Sequence, residues 1–337
     1  MGVFDRVRDS RWRQRQLLIL CYHSVALADE NLWRPAVFLA PGRVRDRFEM
    51  LKQGGYNVLP LAVALAHLRK NDLPPRSVVL TFDDGTYDFY KFTYPLLKEY
   101  GFPATVYQTT YYCFHSVPVF HLICSYMLWK KHDSVLPATA SLGTTRDFRL
   151  NSEEGQGAAV GEIVAFAERN NFSAEQKNEM AAELASRLGL DYRELMRRRV
   201  LQLMTPSEVA ELAQDGISFE LHTHRHRVPR DRALFEKEIR DNREALKSIT
   251  SRSPTHFCYP SGNYERMFLP WLAELGVVSA TTCDPGLASA DSHLLLLPRF
   301  VDTTGQTELD FESWLTGVGA ALAAGASAAG LGRLSGA

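Results

Sequence analysis

Three things that would fix a protein's class at a glance are scarce in this sequence. Cysteine is one: there are five in 337 residues. They are Cys21, Cys113, Cys124, Cys258 and Cys283, with no C-x-x-C pair, which argues against a disulfide framework or a zinc knuckle and suits a reducing cytoplasm. An excess of one charge sign is also missing. The 38 Lys and Arg stand against 39 Asp and Glu, for a formal net charge of -1, so nothing favours nucleic acid or another highly charged polymer as a partner. The third scarcity is a long apolar run. Leu17 to Tyr22 follows several arginines but is too short for a signal peptide and runs straight into His23 and Ser24, as a strand does. Leu315 to Leu331 carries no charge, yet Ala, Gly and Ser dominate it, and it reads as a loosely ordered tail or surface helix rather than a span. The expectation is a cytoplasmic protein without a transmembrane segment, free or peripheral to a membrane. Its oligomeric state is not specified.

The composition itself, 45% hydrophobic and 23% charged, suits a globular chain. Its first part alternates strands with helices. Leu17 to Tyr22, Ser77 to Phe82 and Ala104 to Gln108 read as strands, and Arg43 to Gln53, Leu61 to Lys70 and Tyr87 to Tyr100 as helices closed by Gly or Asn. Residues 111–204 change rhythm, with helical segments at Gly161 to Asn170, Ala174 to Leu188 and Tyr192 to Leu203 and few strand signals. They read as a helical insertion. Alternation then resumes. Strands are expected at Ile217 to Leu221, His256 to Tyr259 and Val277 to Thr281, with helices at Asp231 to Thr250 and Glu265 to Leu275. Six or seven strands, each feeding a helix, suggest an α/β fold: a distorted (β/α) barrel in two parts, 1–110 and 205–312, split by the insertion and followed by an Ala/Gly-rich tail, 313–337.

Two polar clusters fall at strand ends, where such barrels gather their chemistry. Thr81-Phe82-Asp83-Asp84-Gly85 sets two carboxylates side by side, although an Asp-Gly turn needs only one. His222-Thr223-His224-Arg225-His226 crowds three of the ten histidines into five residues. His222 and His226 would share a face on a helical turn, His222 and His224 on an extended strand, and either pair can hold a metal. A plain turn and a surface run of histidines explain each cluster singly. Together they supply two His and a carboxylate with a second carboxylate beside them, which leaves a metal an open position for water. Zinc and non-haem Fe(II) both accept such donors.

The motif TFDDG, followed by Tyr94 to Gly101 and Pro103-Ala104-Thr105, resembles the opening motif of the polysaccharide deacetylases (carbohydrate esterase family 4, the NodB-homology domain). His222-Thr223-x-x-His226 is similar to the family's second motif, and Phe257-x-Tyr259-Pro260-x-Gly262-x-Tyr264 to a divergent form of its third. The resemblance spans about Leu17 to Phe300. It implies a distorted barrel and a metal-dependent hydrolase that removes the N-acyl group, foremost acetyl, from an amino sugar. Asp83 would be the general base. Asp84, His222 and His226 would hold one divalent ion, first Zn2+, with Co2+, Ni2+ or Fe2+ as alternatives. The loop Tyr259, Pro260, Ser261 and Gly262 would offer the oxyanion donor.

The sequence departs from the family in three places. An arginine that commonly orients the base is replaced by Cys258. Ser261 stands where a tyrosine often follows the proline, and no Leu-x-His motif near the C-terminus supplies the general acid. His23, at the end of the first strand, is preferred for that acid over His293, which precedes the apolar run Leu294 to Leu297 and so falls at a strand's beginning. His224 is expected to pack or to point at substrate, and Arg225 to be a solvated charge. Tyr111, Tyr112, Phe114 and His115 are read as core or as a stacking surface for a sugar ring. Thr281-Thr282, Gly286 and Pro298-Arg299 are expected to shape the barrel mouth, and Asp284 to make a turn or partner the acid. Two other functions stand beside this one: an amidohydrolase-type enzyme using His222 and His224, and a non-catalytic carbohydrate-binding relative. The substrate expected of a cytoplasmic member is a nucleotide-linked, lipid-linked or nascent surface saccharide.

Overall fold

The computed structural model describes residues 2–328. Eight strands form its main sheet: β1 (Leu18–Tyr22), β2 (Asn57–Val58), β3 (Ser77–Asp84), β4 (Thr105–Gln108), β5 (Ser218–Leu221), β6 (His256–Cys258), β7 (Ser279–Thr281) and β8 (Phe300–Val301). The spatial order is β7-β6-β5-β4-β3-β1-β8, with β2 beside the start of β3. Every pair is parallel. All strands therefore end at one rim. The registers Tyr22 with Phe82, Asp84 with Gln108, Gln108 with Leu221 and Cys258 with Thr281 level those ends. The gap between β7 and β8 is bridged by the chain itself, because Leu297 makes an isolated parallel bridge to Thr281 just before β8. The result is a distorted (β/α) barrel.

Hydrophobic pattern explains why these segments take these places. β1 and β3 are buried on both faces, as sheet strands sandwiched between layers must be. The helix Arg43–Gln53 turns Val44, Phe48 and Leu51 inward at helical spacing. Arg47, on the same face, is fully buried and makes two hydrogen bonds to Asp302, at 2.8 and 3.1 Å. Helix Arg232–Thr250 buries Phe235, Ile239, Asn242 and Leu246.

Several elements differ from the pattern-based reading. The helix expected over Tyr87 to Tyr100 starts with a π turn, Phe89–Thr93, before Tyr94–Tyr100; Pro95 has no N–H for the preceding turn, so the spacing widens. The segment Tyr192 to Leu203 stays helical only to Arg197, since Arg199 and Leu201 adopt positive φ. Helix Glu153–Arg169 starts before Gly161, capped by Ser152. Helix Phe120–Lys130 escaped notice because it is apolar nearly all round, burying Phe120, Ile123, Cys124, Tyr126, Met127 and Leu128. The run Leu294 to Leu297 is not a strand. Apart from its one bridge it is loop, so His293 does not begin a strand.

Helices Phe120–Lys130, Glu153–Arg169 and Ala174–Arg187 share an apolar cluster of their own, which Phe38 also joins. The chain that leaves them returns against the turn after β3: Met204 donates its N–H to the Gly85 carbonyl, and Tyr87 donates to that of Gln202. Helices Glu308–Thr316 and Val318–Ala328 follow the barrel. The end of the apolar tail, 329–337, lies outside the described residues. Among the described residues no helix is long and apolar enough to cross a membrane.

Candidate active site

The two carboxylates at the end of β3 face different neighbours. In a regular strand Asp83 and Asp84 would point to opposite faces. Asp84 takes φ 70° and Gly85 φ 76°, and the chain turns sharply with the Gly85 N–H on the Asp83 carbonyl at 2.8 Å. Gly85 is required twice over, by its backbone angle and by space: a Cβ there would stand 1.9 Å from the Gln108 side chain.

Asp84 meets the histidine cluster. Its Oδ1 lies 3.3 Å from Nε2 of both His222 and His226. Thr223 and His226, with φ 62° and 55°, curl the segment after β5 back over the strand ends, which brings the i, i+4 pair together. His222 is held on two sides: its N–H donates to Asn242 Oδ1 at 2.9 Å, and its Nδ1 faces the Cys258 carbonyl at 2.9 Å. That carbonyl keeps the proton on Nδ1 and leaves the Nε2 lone pair turned towards Asp84, the tautomer of a metal ligand. A tetrahedral ion with bonds of about 2.0 Å sets neighbouring N and O donors about 3.3 Å apart. The three groups fit a divalent metal.

Asp83 is nearly inaccessible and receives Arg299 from the start of β8, with both carboxylate oxygens 2.7 Å from guanidinium nitrogens. Burial alone would raise its pKa, but the Arg299 charge and hydrogen bonds hold it well below the usual carboxylate range. Cys21 and Cys258 pack their sulfurs 3.5 and 3.4 Å from Oδ2. Arg299 was expected to shape the barrel mouth; its guanidinium instead reaches inward and pairs with Asp83. The signal was a lone cation in the apolar run LLLLPRFV, since a fully buried arginine needs a carboxylate partner.

His23 stands on the other side, its Nε2 3.8 Å from Asp83 Oδ2. The chain beyond it is latched to the segment after β3, by Ser24 Oγ to Thr86 Oγ1 at 2.9 Å and the Val25 N–H to Asp88 at 2.6 Å. The backbone that carries His23 is thereby held at the rim.

The polysaccharide deacetylase family model matches residues 70–118 and 171–280, a span that carries TFDDG, the histidine pair and the loop at Tyr259. Over those two segments the chain is homologous to the polysaccharide deacetylases. Poly-beta-1,6-N-acetyl-D-glucosamine N-deacetylase of Escherichia coli (strain K12) is 31% identical over 94 residues, 28% of this chain and only 14% of that relative. Among solved structures, the Streptococcus pyogenes deacetylase PplD in complex with acetate aligns with TM-score 0.57 at 21% identity, covering 88% of this chain and 96% of that one. IcaB from Ammonifex degensii aligns with TM-score 0.56 at 15% identity, covering 90% and 97%. These likenesses establish a shared fold.

The other expected residues of this polysaccharide deacetylase homologue sort as follows. His224 turns away from Asp84, its Nδ1 2.8 Å from Thr110 Oγ1, so the His222 and His224 pairing does not form. Arg225 is not a solvated charge: it is bound to the buried Glu238 through its N–H at 2.7 Å and its guanidinium at 3.1 Å. Tyr111 packs on Tyr112, His115 and His224 while Phe114 remains exposed. Asp284 accepts a hydrogen bond from Tyr264 at 2.9 Å and donates its N–H to Thr282 Oγ1 at 3.1 Å, a turn contact. In the loop Pro260–Gly262, the Tyr259 N–H donates to Thr281 and the Gly262 N–H to Tyr259, while Pro260 has none. Ser261, at φ 56°, is left as the candidate donor of those four.

Proposed function

We propose that this chain hydrolyses the N-acetyl group of an amino sugar in a saccharide or glycoconjugate precursor. The observation that carries the reading is the division of labour between adjacent carboxylates: Asp84 joins His222 and His226, while Asp83 is kept anionic by Arg299. One divalent ion on Asp84, His222 and His226, zinc first, supplies a Lewis acid for the unreactive amide carbonyl and an acidified water. Asp83 takes a proton from the attacking water as its oxygen adds to the carbonyl carbon. The Ser261 N–H offers a hydrogen bond to the oxyanion. His23 gives its proton to the amine nitrogen as the C–N bond breaks, and acetate departs.

The insertion, 111–204, acts in this proposal as a roof over the site. Its anchorage on Gly85 and Tyr87 supports that role. Acetate release from a panel of N-acetylhexosamine derivatives tests the function. Wild type loaded with zinc is expected to release acetate from at least one, and Asp83→Asn to lose at least ~100-fold in rate. No release by loaded wild type, or undiminished release by the variant, would overturn it.

A further inference from the structure

The strand ends place a second set of metal donors beside the first. Cys21 and His23 are two residues apart at the end of β1 and so share a face, and the parallel register with β3 sets Asp83 next to them. Their donor atoms, Cys21 Sγ, His23 Nε2 and an Asp83 oxygen, all lie within 4.8 Å of one another. We propose that Cys21, His23 and Asp83 form a second, inhibitory site for a thiophilic divalent cation, zinc in excess or cadmium.

The spacing fits. With metal–sulfur and metal–oxygen bonds of about 2.3 and 2.0 Å, tetrahedral geometry puts S and O about 3.5 Å apart, and N and O about 3.3 Å. The S and O atoms are at 3.5 Å, and His23 Nε2, at 3.8 Å from Oδ2, needs to approach by about 0.5 Å to meet that spacing. The His23 Nδ1 is buried without a hydrogen-bond partner, so no hydrogen bond at that nitrogen opposes a small turn of the ring towards Asp83. Sulfur, imidazole and carboxylate together select a soft or borderline ion over magnesium or calcium. Three protein ligands leave a fourth position for water.

A neighbouring set, Asp83, His222 and Cys258, meets the same distance criterion but is a poorer host. Its His222 Nε2 is committed to Asp84, whereas neither Cys21 nor His23 belongs to the first metal set. At the proposed site the S–H bond of Cys21 breaks, a cation–sulfur bond forms and the proton goes to solvent. The thiolate and Asp83 offset part of the charge of the ion and of Arg299, a solvent anion or hydroxide in the fourth position takes up the remainder, and both groups assigned to proton transfer are occupied. Excess cation is thus expected to inhibit by a route separate from loss of the first ion. That consequence rests on the function proposed above; the site itself does not.

Titrating the zinc-loaded full chain with cadmium, read by elemental analysis and by thiolate-to-cadmium absorption in the ultraviolet, tests it without any activity measurement. Two ions per chain are expected, the second bringing the thiolate band. Cys21→Ser and His23→Gln should each lose the second ion and its band while keeping the first; Cys258→Ser should keep both. His226→Ala should lose the first ion and keep the second. One ion per chain at saturation, a second ion without the thiolate band, or a second ion retained with its band in Cys21→Ser would overturn the proposal.

Discussion

Replacing Arg299 with methionine would leave Asp83 buried without its cation, while the methionine still fills the space. Such a half-removed buried pair costs about 3–5 kcal/mol, so urea unfolding should show that loss, and acetate release should fall as Asp83 ceases to be reliably ionised. Lysine, with a point charge in place of the fork, should recover only part of either quantity. An unchanged unfolding midpoint in Arg299→Met would contradict the clamp. His256 is a second residue with a measurable signature. Burial, aided by the charge of Arg69, brings its pKa down to about 4, whereas in the unfolded chain it titrates near 6.5. Below that pH the unfolded state takes up a proton that the folded state refuses, so stability falls as pH drops from about 6.5 towards 4, by up to about 3 kcal/mol. His256→Gln should flatten that part of the stability curve, and equal slopes would refute the assignment.

At the scale of elements, the turn after β3 does most to build the site, because it re-aims Asp84 and receives both the insertion and Gln108. Gly85→Ala asks a residue with a Cβ to hold φ 76° and to displace the Gln108 side chain. Adopting the left-handed conformation alone costs about 1–2 kcal/mol. The expected outcome is weakened metal retention on dialysis together with lower acetate release, and a variant that keeps its metal and its rate would sink the argument. The TFDDG motif was legible in sequence because one turn of chain carries it. So was the His222 and His226 pair, since neighbours in sequence remain neighbours at a strand end. Helix Phe120–Lys130 was not legible, since burial on all sides removes the amphipathic period by which a helix announces itself.

For the whole molecule, closure of the barrel depends on contacts between the ends of the chain. Arg47 binds Asp302 across 255 residues, and both side chains are fully buried. Burial raises the Asp302 pKa, so Arg47→Met should strand that carboxyl and cost about 3–5 kcal/mol in denaturant unfolding; a loss within 0.5 kcal/mol would show that closure does not rest on the pair. The sequence by itself determined the alternation of strands and helices, the order of the strand-end clusters and the residue types able to hold a metal, because each is written within a few adjacent positions. Which carboxylate joins the histidines and which is clamped was decided by the tertiary structure. So were the exclusion of His224, the capture of Arg225 by Glu238 and the arrival of Arg299 beside Asp83. The reason is physical: Asp83 and Arg299 stand 216 residues apart in the chain, and only the parallel register of β3, β1 and β8, closed through Leu297, brings them to one level of the barrel. A local pattern carries no record of that register.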